Sequence, residues 1–246
     1  MSPAHNYRII RLKEVDSTNA WAKSAYAEKI VSSNAAIVAA TQREGRGQMR
    51  TKWHDESGKN ILLTLVVDVQ NLRAVDFFRL NEAVSLALID VLTPMALVFI
   101  KWPNDIIVAK KKLAGILIET VMQANHIKTA FIGIGLNVNQ QSFPEELNAT
   151  SLAIITGKEW PLNDVLSKLL IALAFRLQQI NTPNILARQY NNCLFGTQEY
   201  MRYKDEHTTF YAKVHKIEAD GRLVLKLQNE SVLQYYHFKE VQLLLD

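Results

Sequence analysis

A chain of 246 residues that is 48% hydrophobic and 21% charged carries enough apolar material for one large domain, or for a large and a small one. Its formal net charge of +4 accommodates an anionic ligand but is too small to mark a nucleic-acid binder. The lone Cys193 excludes an internal disulfide, and no apolar run has the length of a membrane span or signal core, so a cytoplasmic protein without membrane partners is expected.

In chain order, YRIIRLKEV (7–15) alternates as a strand does, and Ser17 or Thr18 then offers a hydroxyl to cap a helix running to about Glu28. AAIVAAT (35–41) and NILLTLVVDV (60–69) are near-continuous apolar runs rich in β-branched residues, the pattern of strands covered on both faces. Between them lies EGRGQMRTKW (44–53). Its glycines free the backbone, Arg46, Arg50 and Lys52 supply positive charge, and Trp53 closes it. Such a segment suits a phosphate or carboxylate, and equally a solvated basic hairpin loop.

Residues 74–92 read as a long helix with Asp76, Arg79, Glu82 and Ser85 in one narrow polar stripe and the remainder buried, ended by Pro94. LVFIKW (97–102) follows as a strand. DIIVA and LAGILIETVM form a hairpin turning through Lys110–Lys112, and IKTAFIGIGLNV (127–138) is a further strand. Asn163 opens a helix with Leu166, Leu169, Leu170, Leu173, Leu177 and Ile180 on one face, and a shorter helix runs to about Leu194. From Tyr200 the character changes. FYAKV, RLVLKLQ after an Asp220-Gly221 turn, VLQYYHF and KEVQLLL are short, closely spaced strands with no helix. The expectation is an α+β protein: a mixed sheet flanked by helices over residues 1–195, then a small SH3-like β-barrel over 196–246.

KWPND (101–105) and the segment after it concentrate polar chemistry. Pro103 stiffens a turn from which Asn104 and Asp105 project, and the hairpin can return Lys112 toward Asp105, keeping the ammonium charged and oriented. A plain surface turn is the competing reading, and Lys110 and Lys111 read as solvated charge. GIGLNVN (133–139) alternates glycine with apolar residues inside a strand, which marks close approach by a ligand or a neighbouring element. The six histidines lack metal-ligand spacing, and Cys193 reads as a small buried side chain.

Taken in order, STN (17–19), TQ with GRG and a tryptophan (41–53), KWPND, KLAGILIE (112–119) and GIGLNVN resemble the biotin–protein ligase family in its short form, over essentially the whole chain. The resemblance implies adenylation of biotin with ATP and magnesium, then transfer to a lysine of a biotin carboxyl carrier protein, with no permanently bound metal. It also implies roles. Ser17, Thr18, Asn19 and Gln42 would surround biotin's ureido ring. Gly45, Arg46 and Gly47 would begin a loop closing over the carboxylate and phosphates, and Gly115 and Ile116 would shape the pocket wall. Lys112 would contact the biotin carboxyl and the α-phosphate, with Asn104 and Asp105 supporting it. Lys112, Arg46 and Asp105 form the expected catalytic set, and Arg50, Trp53, Lys101, Asn104, Asp105, Lys112 and Asn137 the expected nucleotide set. The loop departs from the family pattern at Gln48-Met49-Arg50-Thr51, so Arg50 or Lys52 would replace its usual further arginines.

A lipoate or octanoate transferase shares the catalytic fold and is the rival enzyme, although it is not expected to carry KWPND. A non-enzymatic binding module is the remaining alternative. STN begins at residue 17, leaving no room for a preceding helix-turn-helix, so no nucleic-acid partner is expected. Monomer and homodimer both stay open.

Overall fold

The structure, a computed structural model, describes residues 7–48, 52–228 and 232–245. Seven strands form the first sheet: β1 (Arg8–Val15), β2 (Ala35–Gln42), β3 (Ile61–Arg73), β4 (Phe99–Lys101), β5 (Asp105–Val108), β6 (Lys111–Gln123) and β7 (His126–Leu136). Their spatial order is β1-β2-β3-β7-β6-β5-β4. Only β1 and β2 run parallel, and a parallel pair needs a crossover. Helix α1 (Thr18–Ala27) provides it, opened by the extended N-cap Ser17 whose Oγ accepts from Ala20 N.

Alternation along the strands sorts the side chains onto two faces. Ile37, Val66 and Phe131 pack with Ala22 and Ala25 of α1, and Tyr26 meets Phe131 edge-on. Their neighbours Ala36, Leu65 and Ile132 face the larger core, where α2 (Phe78–Leu92), α4 (Leu162–Gln178) and α5 (Pro183–Asn192) pack. The expected helix over 74–92 begins later, because Ala74–Asp76 forms a separate 3-10 turn. Its polar stripe is also corrected: Glu82 and Ser85 are themselves buried, at 3% and 0% exposure. The physical reason is that α4 and α5 cover the side of α2 that would otherwise meet water. The β5–β6 turn falls at Ala109-Lys110, both at positive φ, so Lys111 and Lys112 already belong to β6. The five-residue α3 (Leu152–Thr156), capped by Ser151 and ended by Gly157 in the left-handed region, carried no periodicity long enough to announce it.

The terminal sheet is antiparallel throughout: β8 (Met201–Asp205), β9 (Thr209–Ile217), β10 (Leu223–Leu227), β11 (Leu233–Tyr236) and β12 (Val241–Leu243), in the order β11-β10-β9-β8-β12. β8 was not among the strands expected. In MRYKD only Met201 and Tyr203 turn inward, too short an alternation to stand out beside three charged residues.

The two sheets share one buried cluster, which runs from Ile100 and Leu194 into Tyr203, Val214 and Leu223. Ile217 N donates across the seam to Asn191 Oδ1 at 2.7 Å, and the connecting segment is tied to each side, Phe195 N donating to Ile100 O at 2.8 Å and Gly196 O accepting from Val214 N at 2.8 Å. Gly221, at φ +89°, is the tightest point. An added Cβ there would lie 2.6 Å from the Phe78 ring, while Gly221 O accepts from Trp102 Nε1 at 2.9 Å.

Candidate active site

The α1 face of the sheet is incompletely covered. Register sets Thr64 and Leu117 beside Gly133, and Leu62 and Gly115 beside Gly135, so beyond Phe131 β7 puts no side chain on this face until its end. Both glycines are required by what lies on them. A Cβ at Gly133 would approach Asn19 Oδ1 to 2.6 Å, and one at Gly135 would enter the Trp53 indole at 2.5 Å. GIG is therefore a shelf, with a neighbouring side chain seated on each glycine.

Ser17, Thr18, Asn19, Gln42, Arg46, Gly47, Trp53, Asn104, Lys112, Gly115 and Ile116 converge on a cleft above this shelf. Its polar wall is fixed from below. Thr64 Oγ1 donates within reach of Thr18 Oγ1 (2.8 Å) and Asn19 Oδ1 (2.6 Å). Gln42 Oε1 accepts from Thr18 N at 2.8 Å, and Asn19 Nδ2 donates to Leu117 O and to Glu119, which also pairs with Lys23 at 2.7 Å. Asp55 holds the strand end carrying Gln42, accepting from Thr41 Oγ1 at 2.8 Å; burial pushes its carboxyl above the usual range against that bond. With the indole lying on the shelf, the free volume of the cleft is about 40 Å³. That is room for a water or two and not for a fused ring system.

A second cavity of about 580 Å³ adjoins the first, and Asn104 and Lys112 line both. Lys101, Trp102, Pro103 and Asp105 complete its floor, and the terminal sheet supplies the opposite wall. Lys112 Nζ sits 2.7 Å from Asp105 Oδ1 and 5.6 Å from the Trp53 ring centroid. The turn bearing Asn104 and Asp105, which includes a cis Trp102-Pro103 bond, is anchored twice. Asn81 Nδ2 and the Tyr190 hydroxyl both donate to Pro103 O, while Asn104 Nδ2 donates to Ile116 O and receives Ile116 N on its own carbonyl. Beside this anchor, burial raises Glu82 to about 7 against the lowering influence of Arg79.

Not every expected site residue lines the first cleft. Gly45 is buried beneath Gln42 and Trp53, and its carbonyl accepts Trp53 N at 2.8 Å, closing the base of the loop together with an Arg46–Lys52 bridge. Arg46 itself is exposed, 3.8 Å from Glu44. Lys101 and Asp105 face only the second cavity. Asn137 lines neither: it is 2% exposed and its Nδ2 donates to Thr150 O, leaving Oδ1 without a hydrogen-bond partner. Arg50 lies outside the described residues. Thr64 and Glu119 were missed as supports. Thr64 had a signal, being the one polar residue in ILLTLVV.

Residues 12–138 match the sequence profile of the biotin/lipoate A/B protein ligase family, and the chain belongs to that family. Among its relatives, the Bifunctional ligase/repressor BirA of Bacillus spizizenii is 31% identical over 210 residues, covering 81% of this chain. The chain spans only 63% of that relative's length. The Biotin--[acetyl-CoA-carboxylase] ligase of Mycobacterium tuberculosis is 32% identical over 155 residues, 60% of this chain and 56% of its own. Of solved structures, the biotin protein ligase from Aquifex aeolicus in complex with biotin and ATP superposes with a TM-score of 0.79 at 26% identity, over 96% of this chain and 98% of that one.

Proposed function

We propose that the protein activates biotin with ATP and transfers it to a lysine of a biotin carboxyl carrier protein, in the cytoplasm where ATP is at hand. The observation that carries this reading is the meeting of two cavities at Asn104 and Lys112. In it, the first cleft takes the vitamin's polar ring against Ser17, Thr18, Asn19 and Gln42, and the second takes the phosphates. The carboxylate and the α-phosphate then face each other at the shared residues. Two anions repel, so Lys112, oriented by Asp105, neutralises the approach, and Arg46 brings a second cation from the loop. The carboxylate oxygen attacks the α-phosphorus, the bond to the β-phosphate breaks, and pyrophosphate leaves. The acceptor lysine's amine then attacks the acyl carbon of the mixed anhydride and AMP departs. Covering the anhydride with the 45–53 loop excludes water in the interval. Asp105, the carboxylate among the described residues lining the second cavity, would hold a magnesium ion, which would neutralise charge on the departing pyrophosphate.

The test is mass spectrometry of the purified protein after mixing with biotin and ATP, then with a biotin carboxyl carrier protein. Retained biotinoyl-AMP and a biotinylated acceptor are expected, with no product when lipoate replaces biotin. Absence of both biotin products overturns the reading, and a lipoyl product would move the protein to the other branch of its family.

A further inference from the structure

The polar wall of the first cleft takes its hydrogen-bonding sense from a residue outside it. Glu119 does not line that cleft; it faces an adjoining cavity of about 210 Å³ together with Ser17, Lys23 and Arg46. From there its two carboxylate oxygens take different donors. Oε1 accepts from Lys23 Nζ at 2.7 Å and Oε2 from Asn19 Nδ2 at 3.0 Å. The two ends of an asparagine amide are nearly equal in shape, so its partners decide which way it points. An ionised carboxylate only accepts, and a bond to it is stronger than one to a neutral carbonyl. With Leu117 O at 3.2 Å taking the second amide proton, the NH2 end is spent and Oδ1 is turned toward Thr64.

That direction propagates. Thr64 has one hydroxyl proton and sits 2.6 Å from Asn19 Oδ1 and 2.8 Å from Thr18 Oγ1. Giving the proton to Oδ1 leaves Thr64 Oγ1 as an acceptor. Thr18 then spends its own proton on Thr64 or on Gln42 Oε1, 3.1 Å away. What Asn19 and Thr18 have left for the cleft is lone pairs. Such a wall takes N–H donors, of which a cyclic urea has two.

We infer that Glu119 is a positioning residue: its carboxylate fixes the Asn19 amide and, through Thr64, makes the wall an acceptor for the ring N–H groups of the substrate. This rests on the function proposed above.

Glu119→Gln keeps the shape of the side chain but has one oxygen for two donors. The Lys23 ammonium takes it, the new NH2 group faces Asn19 Nδ2, and the Asn19 amide must turn or lose its bond. Removing Lys23 frees that oxygen for Asn19. Calorimetry without ATP should therefore show Glu119→Gln binding biotin about 10- to 100-fold more weakly and Lys23→Ala binding it close to wild type. The Glu119→Gln/Lys23→Ala pair should regain most of the loss. KM for biotin should rise in parallel in Glu119→Gln. KM for ATP and Tm should hold, since the Glu119 side chain is 35% exposed and carries little of the core. Three results each overturn the inference: wild-type biotin affinity in Glu119→Gln, a loss that Lys23→Ala does not restore, or a loss accompanied by a lowered Tm and a raised KM for ATP. Biotinoyl-AMP formation by the wild type with biotin binding unimpaired in Glu119→Gln sinks Glu119 alone and leaves the ligase reading standing. The expected binding pattern in a protein that makes no biotinoyl-AMP would do the reverse, and a wild type that binds no biotin would end both.

Discussion

Lys112 and Arg46 supply the same charge in different mechanical settings. Lys112, on β6, is held against Asp105, while Arg46 is exposed on the loop with Glu44 as its ion-pair partner among the described residues. Removing either should cut biotin-dependent pyrophosphate release by roughly 100- to 1000-fold, the range seen when one preorganised charge-stabilising donor is deleted. Circular dichroism should show both Lys112→Ala and Arg46→Ala folded; release at the wild-type rate in both would remove the site assignment. Glu82 makes a different prediction. Its folded pKa of about 7 lies above the ordinary 4.5, so the folded state holds the proton more tightly than the unfolded chain. Stability is then full below about pH 4.5, falls as pH rises through 7, and levels above it, a loss of about 3 kcal/mol. Glu82→Gln should flatten that pH dependence and raise Tm at pH 8, as read by thermal melts across the range. The sequence could not have given this. Glu82 falls on the same stripe as Arg79, and only the covering helices, remote in the chain, turn that stripe inward.

At the scale of elements, β7 works as a shelf on which Asn19 and Trp53 are seated. The glycine alternation in β7 was legible because glycine inside a strand has few other uses. What sits on each glycine was not, since Asn19 and Trp53 arrive from other segments. Gly133→Ala should push Asn19 off its Thr64 and Leu117 partners and raise the KM for biotin by about tenfold, with kcat changed less. Stopped-flow assays at saturating ATP would separate the two; an unchanged KM would mean that Asn19 is not a biotin contact. The contracted first cleft makes the indole a reporter. The proposed function requires biotin to displace Trp53, so its emission should shift on binding, and Trp53→Phe should abolish the shift while Trp21, Trp102 and Trp160 remain. The polar wall at 17–19, Gln42, KWPND and Lys112 could be read from short motifs because each is local. Asn137 and Lys101 show the limit of that reading, as neither enters the first cleft and their side-chain directions depend on β6, β4 and the segment around Thr150.

On the scale of the whole molecule, the two sheets are joined by a continuous core and not by a linker. The change of character near Tyr200 was visible in the chain, whereas the packing of Trp102 and Phe78 against the terminal sheet was not, because pairing across more than 100 residues leaves no local pattern. We expect a single calorimetric transition in which the van't Hoff and calorimetric enthalpies agree, with the terminal sheet melting together with the first. Two resolved transitions would refute that coupling. The contact at Gly221 extends the point. One carbonyl and one missing side chain set how far the two walls of the larger chamber stand apart, at a spot on the seam that does not line that chamber. The reach demanded of a ligand spanning those walls could therefore be retuned by a single methyl group there, with every ligand-facing residue left as it is.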